Sequence, residues 1–188
     1  MKTFIIAAIT ADGFIAKDDR HSPFGWTSKE DKARFVKMTK EAGVVIMGRS
    51  TFETLPNALR ERRNIVYSRK ANPADPKFAG AEVTQEAPHA LIERLSKEKN
   101  HAGDPIQSIA ICGGTSIYTA FMKAHLVNRL YLTIEPILFG KGLPLFKEDM
   151  QIHLKLIGAE ATANGSLMLE YDVNYHGTSG ISTENKQK

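Results

Sequence analysis

The sequence predicts an α/β domain of three layers, with a central, mostly parallel sheet, helices on both of its faces and an antiparallel C-terminal edge. Short apolar runs alternate with helix-like segments through most of the 188 residues, which is typical of parallel strands joined by crossover helices. Near the C-terminus the strand-like segments follow one another without helices, as in antiparallel hairpins. We expect a single domain over residues 1–175 and a polar, disordered tail over residues 176–188.

The first half of the chain carries three strand-like runs and two helix-like segments. The strands are predicted over residues 3–10, 44–48 and 63–68, with a polar loop over residues 11–25. The first helix is predicted over residues 27–43, because Thr27 or Ser28 can cap its start and Gly43 can end it. A short helix over residues 49–56 is stopped by Pro56.

The second half alternates in the same way before the pattern changes. Helices are predicted over residues 87–99 and 115–126, and buried strands over residues 108–114 and 129–139. The last two strands are expected over residues 153–162 and 165–175, with turn residues at Asn164 and Gly165 between them.

Composition excludes several classes of function. The formal charge is +4 and the basic residues are scattered, so no nucleic-acid partner is expected. The single Cys112 excludes an internal disulfide and a cysteine-based zinc site, and the histidines lack ligand spacing, so no metal is predicted. No apolar run reaches the roughly 20 residues that span a membrane, and Asp12 interrupts the N-terminal run too early for a signal peptide. We therefore expect no membrane partner and a cytoplasmic location.

Three predicted strand ends carry residues that suit phosphate. Gly113 and Gly114 separate a strand from a helix, residues 49–51 begin another helix with a cation and two hydroxyls, and residues 68–70 place a hydroxyl beside two cations. Each has a plainer interpretation: a tight turn, ordinary helix capping and solvated loop charges, respectively. The carboxyl ends of parallel strands meet at one edge, so the three candidates support one another as one site.

Six segments, taken in their order along the chain, resemble segments of one protein family. They are IIAAITADGFIA (5–16), GWTSKEDKARFVKMT (25–39), VIMGRSTFETLP (45–56), RRNIVYSR (62–69), ICGGTSIYTAFM (111–122) and LYLTIE (130–135). Together they resemble the dihydrofolate reductase family, including its relatives that reduce pyrimidine intermediates of riboflavin synthesis, over roughly residues 3–175. The resemblance implies hydride transfer from NADPH to C6 of dihydrofolate, with a proton added at N5.

The resemblance also implies a catalytic set of Asp31, Trp26 and Thr133. Asp31 would accept hydrogen bonds from the pterin, Thr133 would hold the same side of the ring, and burial should raise the pKa of Asp31. Glu30 is the competing acid. Adjacent helical residues diverge by about 100°, and Phe35 marks the apolar face on the side of Asp31, so Asp31 is preferred.

The remaining ligand contacts follow from the resemblance as well. The implied substrate-binding residues are Ile6, Asp31, Lys32, Phe35, Leu55, Arg62 and Thr133, with Arg60 and Arg63 as competitors of Arg62 for the glutamate tail. The implied NADPH-binding residues are Ala8, Ile15, Arg49, Ser50, Thr51, Ser68, Arg69, Gly113, Gly114, Thr115, Ser116, Ile117 and Tyr118. The Gly113–Gly114 peptide is expected to be cis.

Two alternatives remain open at this level. Residues 135–146 resemble the riboflavin-pathway relatives, so the substrate is either dihydrofolate or a ribosylated pyrimidinone. The chain could also be a nucleotide-binding domain without catalysis.

Lys32, where the family usually has an apolar residue, either reaches a substrate carboxylate or is solvated. His21 is interpreted as a solvated loop residue. The expected partner is a small-molecule substrate; a monomer is expected, with a dimer as the alternative.

Overall fold

The computed structural model describes residues 1–69 and 75–175. Its strands are β1 (Lys2–Thr10), β2 (Phe14–Ala16), β3 (Val44–Gly48), β4 (Arg63–Tyr67), β5 (Ala81–Thr84), β6 (Ser108–Ile111), β7 (Arg129–Glu135), β8 (Leu143–Pro144), β9 (His153–Ala161) and β10 (Leu167–Asn174). Its α-helices are α1 (Lys29–Ala42), α2 (Arg49–Glu53), α3 (Pro88–Leu95) and α4 (Thr115–Lys123). Short 3-10 turns occupy Pro23–Gly25 and Pro76–Phe78.

One eight-stranded sheet organises the domain, in the order β5-β4-β3-β6-β1-β7-β10-β9. The strands from β5 to β7 in that order run parallel. Strand β10 is antiparallel to β7, and β9 is antiparallel to β10. The predicted parallel sheet with an antiparallel C-terminal edge is therefore confirmed.

Strand β1 shows how the core divides into two layers. Its successive side chains point to opposite faces of the sheet, so Ile5 and Ala7 pack with α3 and α4 while Phe4 and Ile6 pack on the side of α1. Helices therefore cover both faces, as the three-layer prediction requires. Val45 and Ile46 of β3 divide between the two layers in the same way.

The capping of α1 resolves one choice that the sequence left open. The side chain of Ser28, not that of Thr27, accepts a hydrogen bond from the backbone N–H of Asp31 at 3.1 Å. Gly43 ends the helix with a left-handed backbone at φ 69°, which glycine adopts without strain. The first helix thus lies where the pattern predicts it.

The structure adds strands that the sequence pattern did not indicate. Strand β5 is an edge strand of four residues and is too short to display an alternating pattern. Strands β2 and β8 form a two-stranded antiparallel ribbon, and β2 lies inside the predicted polar loop. Strand β7 ends at Glu135 and does not continue to residue 139, because Pro136 cannot donate to a ladder. The predicted tail over residues 176–188 and the cation Lys70 lie outside the described residues.

Across the described ranges, none of the helices is long and apolar enough to cross a membrane.

Candidate active site

A cavity of about 220 Å³ opens at the carboxyl ends of the central strands, between α1 and the sheet. Its wall brings together residues from β1, α1, β3 and α2 with Gly113, which follows β6. The predicted site residues among its lining are Ile6, Ala8, Ile15, Asp31, Lys32, Phe35, Ser50, Thr51, Leu55, Arg62, Gly113 and Tyr118. Most of this wall is apolar, so the few polar groups in it would fix how a flat ring binds.

Asp31 is the buried acid on this wall, whereas Asp18 and Asp19, which also line the cavity, are exposed. It lies in the first turn of α1, and only 8% of its surface is exposed. The side chains of Thr133 and Thr27 hydrogen-bond its carboxyl group. Glu30 is only partly buried and lies outside the cavity lining, and its Oε2 accepts a hydrogen bond from the Asn164 amide at 2.5 Å. The helix therefore directs Asp31, and not its neighbour, into the cavity.

The pKa of Asp31 is raised above the ordinary aspartate value. Burial away from water is the main cause, because it penalises the charged form, and the nearby negative charge of Glu135 acts in the same direction. The hydrogen bonds from Thr133 and Thr27 and the positive charge of Arg34 oppose the shift. The predicted direction of the shift is confirmed, although two threonines surround the carboxyl group in place of a purely apolar shell.

Trp26 lies beside the cavity and does not line it. Its ring stacks against His21, with centroids 6.3 Å apart, and meets the edge of Phe139 at 5.2 Å. The indole Nε1 is buried without a hydrogen-bond partner among the described residues. His21 is a partly exposed loop residue, as predicted, but it also lines the cavity and accepts a hydrogen bond from the backbone N–H of Lys17 at 3.1 Å. The sequence missed this packing because the loop appeared uniformly polar.

Two cations reach the outer part of the cavity. Lys32 donates a hydrogen bond from Nζ to the carbonyl oxygen of Phe24 at 2.8 Å, which joins α1 to the loop in front of it. Arg62 is buried, and its guanidinium donates to the Arg60 carbonyl and to the hydroxyl of Thr39, each at 2.8 Å. These bonds hold the guanidinium in place at the cavity wall, whereas Arg60 and Arg63 are not among the lining residues.

A second, more polar groove adjoins the cavity, and Ser50 and Thr51 line both. The predicted phosphate-binding residues in its lining are Arg49, Ser50, Thr51, Ser68, Arg69, Gly114, Ser116 and Ile117. The three strand ends suggested by the sequence therefore meet in one place. Gly114, the N-cap of α4, offers no side chain to cap the helix, so the first amides of α4 are available as donors at this end.

The glycines of this groove leave room that a side chain would fill. A Cβ on Gly114 would lie 3.2 Å from the hydroxyl of Thr51, and one on Gly48 would lie 3.2 Å from Ile117. Gly113 has a φ of 121°, which side chains rarely adopt, and the Gly113–Gly114 peptide is cis as expected. Backbone amides, three cations and several hydroxyls around an open cradle suit the phosphates of a dinucleotide.

Two residues of the predicted cofactor set take other positions. The hydroxyl of Tyr118 is buried and donates to the carbonyl oxygen of Ile6 at 2.9 Å. Thr115 donates to the carbonyl oxygen of Pro144 at 2.6 Å and lines neither the cavity nor the groove. Both hydroxyls therefore connect parts of the fold around the site.

The groove also contains residues that the sequence reasoning missed. These are Tyr67, Thr84, Gln85 and Lys147. Thr84 ends the unpredicted strand β5 and Gln85 follows it, so a correct assignment of that strand would have indicated them. Lys147 reaches the groove from a segment that is far away in sequence, and no local motif marks it. Its backbone N–H donates to the hydroxyl of Thr119 in α4 at 3.1 Å.

In the part of the chain that the structure describes, no group of three or more histidine, cysteine, aspartate or glutamate side chains could hold a metal ion. Cys112 is buried at a strand end, and burial raises the pKa of its thiol.

Comparisons with known proteins agree with this geometry. The uncharacterised protein YyaP of Bacillus subtilis is 24% identical over 184 residues, which cover 89% of this chain and 92% of that protein. The dihydrofolate reductase of Bacillus subtilis is 30% identical over 128 residues, which cover 68% of this chain and 66% of that enzyme. The crystal structure of a pyrimidine reductase-like protein of Corynebacterium diphtheriae has the same fold, with a TM-score of 0.66 at 17% identity over 92% of this chain and 91% of that one. A sequence profile described as dihydrofolate reductase matches residues 2–137, and the chain therefore belongs to the dihydrofolate reductase family of oxidoreductases.

Proposed function

We propose that the protein catalyses the NADPH-dependent reduction of 7,8-dihydrofolate to 5,6,7,8-tetrahydrofolate. The observation that supports this most is the buried carboxyl group of Asp31 in the wall of an apolar cavity, adjoining a groove suited to a dinucleotide. A protein that only binds nucleotides has no use for a buried acid at that position, because its burial is unfavourable.

The polar groove supports NADPH as the cofactor. Arg49 and Arg69 supply positive charge, and Ser50, Thr51 and Ser116 supply hydroxyl donors around the glycine cradle. Arg69 and Ser68 follow β4, where the resemblance places the 2′-phosphate that distinguishes NADPH from NADH. When bound, this cofactor supplies the hydride that C6 of the substrate accepts.

The cavity supports a pterin as the other ring. Ile6, Phe35 and Leu55 offer apolar walls, and Asp31 offers carboxylate oxygens to the ring N3–H and the 2-amino group. Its negative charge favours protonation at N5, with water as the proton donor. The held guanidinium of Arg62 fits the carboxylate of a glutamate tail, since a planar fork binds carboxylate with two donors.

A ribosylated pyrimidinone is the second candidate substrate. The fold is shared with a pyrimidine reductase-like protein over most of both chains, and residues 135–146 resemble the riboflavin-pathway relatives. Both reactions use a hydride from NADPH, so the two candidates differ in the ring that the cavity accepts and in the group that meets Arg62 and Lys32.

A steady-state assay with the purified protein tests the proposal. The loss of NADPH absorbance is followed with dihydrofolate, with the ribosylated pyrimidinone and with neither. Turnover with dihydrofolate supports the proposal, and turnover only with the pyrimidinone replaces it by the second candidate. Binding of NADPH without turnover of either substrate indicates a nucleotide-binding domain without catalysis.

A further inference from the structure

Glu135 is a buried acid to which the resemblance assigns no role and which does not line the cavity. It is the last residue of β7, and only 3% of its surface is exposed. A buried carboxylate is costly unless several donors surround it. Glu135 has three: the backbone N–H and the hydroxyl of Ser28 reach Oε1, each at 2.8 Å, and the hydroxyl of Ser166 reaches Oε2 at 2.6 Å.

Ser28 connects this acid to Asp31. The Ser28 hydroxyl donates to Glu135, and the same oxygen accepts the backbone N–H of Asp31 at 3.1 Å. Ser28 is also the N-cap of α1, so its rotamer decides how the helix begins. The carboxylate of Glu135 therefore holds the Ser28 side chain in place. Ser28 in turn holds the first turn of α1, in which Asp31 lies.

The same strand holds Asp31 from two positions. Thr133 and Glu135 are two residues apart in β7, so their side chains project from the same face of the sheet. Thr133 hydrogen-bonds the carboxyl group of Asp31, and Glu135 binds the cap of the helix that carries it. A rigid pair of contacts from one strand is the kind of support that keeps a functional side chain in a single orientation.

We propose that Glu135 is a positioning residue, which sets the orientation of Asp31 through Ser28 and holds a second negative charge beside it. This inference concerns the same site as the proposed function, but the contacts that carry it do not depend on which substrate is bound.

Charged or titratable groups of three elements interact with Asp31. Arg34 of α1 is positive, Glu135 of β7 is negative, and Tyr118 of α4 interacts with Asp31 electrostatically. Burial is the largest cause of the raised pKa of Asp31, and Glu135 adds to it, while Thr133, Arg34 and Thr27 oppose it. Removing the Glu135 charge should therefore make Asp31 easier to ionise.

The replacement Glu135→Gln separates this role from a merely structural one. Glutamine keeps the length of the side chain and an oxygen that accepts from Ser28, but it removes the charge. If Glu135 serves only to attach the turn before β10 to α1, glutamine can replace it in that role. The titration midpoint of Asp31 should then stay unchanged. The control is Glu30→Gln, which removes one charge beside Asp31 on the partly exposed side of the same helix.

The readout is the titration of the Asp31 carboxyl group by carbon-13 NMR in the full chain without ligands, with the signal assigned from the Asp31→Asn variant. We expect the midpoint to move to lower pH in Glu135→Gln and to stay near that of the wild type in Glu30→Gln. An unchanged midpoint in a folded Glu135→Gln protein, or equal shifts in both variants, would overturn the proposal.

A second variant covers the case in which Glu135→Gln does not fold. Aspartate is one methylene shorter than glutamate. Glu135→Asp therefore keeps the charge but moves the carboxylate oxygens away from Ser28. Hydrogen exchange at the Asp31 amide should then accelerate on the order of tenfold, as expected for a weakened N-cap. Exchange at the wild-type rate would contradict the link through Ser28.

The titration needs no substrate, so its outcome is independent of the proposed reaction. If Asp31 shifts as expected while neither dihydrofolate nor the pyrimidinone is turned over, the proposed function fails and the role of Glu135 stands. If the protein turns over dihydrofolate, the limb of the pH–rate profile that reports Asp31 should move to lower pH in Glu135→Gln, in parallel with the NMR midpoint.

Discussion

The side chain of Thr133 hydrogen-bonds the carboxyl group of Asp31, although one residue lies in β7 and the other in the first turn of α1. Both residues are buried. A buried acid that accepts hydrogen bonds from two threonines is held in one orientation against an apolar cavity.

The first prediction concerns activity. Asp31→Asn keeps the shape of the side chain but removes its negative charge, so protonation of the bound ring is no longer favoured. We expect kcat to fall at least about 100-fold at neutral pH, within the range found for the loss of an acid–base group. NADPH oxidation with dihydrofolate measures this, and equilibrium binding of NADPH should be unchanged. Glu30→Gln is the matched control. A similar loss of kcat in that variant would contradict a specific role for Asp31.

The second prediction concerns stability and pH. Folding raises the pKa of Asp31, chiefly through burial, so the folded state binds the proton more tightly than the unfolded state does. The stability that this group contributes is therefore complete below the ordinary aspartate pKa and is lost as pH rises through the raised value. Asp31→Asn should unfold at a higher temperature than the wild type at neutral pH, and the difference should shrink in acid. Thermal unfolding at several pH values checks it; a variant that is less stable at every pH contradicts it.

The third prediction concerns the glycine cradle. In Gly113→Ala, the added methyl group would lie 3.3 Å from the Tyr118 hydroxyl, on a backbone with φ of 121°. We expect a loss of about 1–3 kcal/mol in the free energy of unfolding, as for other strained backbone positions, together with weaker NADPH binding. Gly103→Ala is the control, because its φ is also positive, at 88°, but open space surrounds it. It should lose stability without any change in NADPH affinity.

The fourth prediction concerns the choice of cofactor. Arg69→Gln removes a cation from the groove, so we expect NADPH to bind about 10–100-fold more weakly, as for a lost charge-assisted hydrogen bond. Binding of NADH, which lacks the 2′-phosphate, should stay nearly constant. Arg60→Gln, an exposed position outside the groove, serves as the control. If the binding of NADPH and of NADH weakens equally, Arg69 contacts a part of the cofactor other than the 2′-phosphate.

The fifth prediction concerns the substrate tail. Arg62→Lys keeps the positive charge but loses the planar fork that binds a carboxylate with two donors. We expect KM for dihydrofolate to rise about tenfold with kcat nearly unchanged. A dihydropterin without the glutamate tail is the control substrate, and its KM should not respond to the variant. If both substrates respond equally, Arg62 acts on the shape of the cavity and not on the tail.

Much of this molecule is determined locally by the sequence. The apolar runs of β1, β3 and β6 are buried strands because only a central sheet can accommodate residues that are apolar on both faces. Ser28 and Gly43 set the ends of α1 through capping chemistry that acts within a few residues. The residues that follow β3, β4 and β6 meet in one groove, as their positions predict, because the carboxyl ends of parallel strands share one edge of the sheet.

Tertiary structure alone decided the rest. Distant segments meet in three contacts that no local pattern indicates. They are the hydrogen bond from Thr133 to Asp31, the bonds from Ser28 to Glu135 and the position of Lys147 in the groove. Strand β5 and the β2–β8 ribbon form for the same reason, since their pairing partners lie elsewhere in the chain. Periodicity and capping report the energies of near neighbours along the chain, whereas the environment of a buried acid depends on which distant strand folds against it.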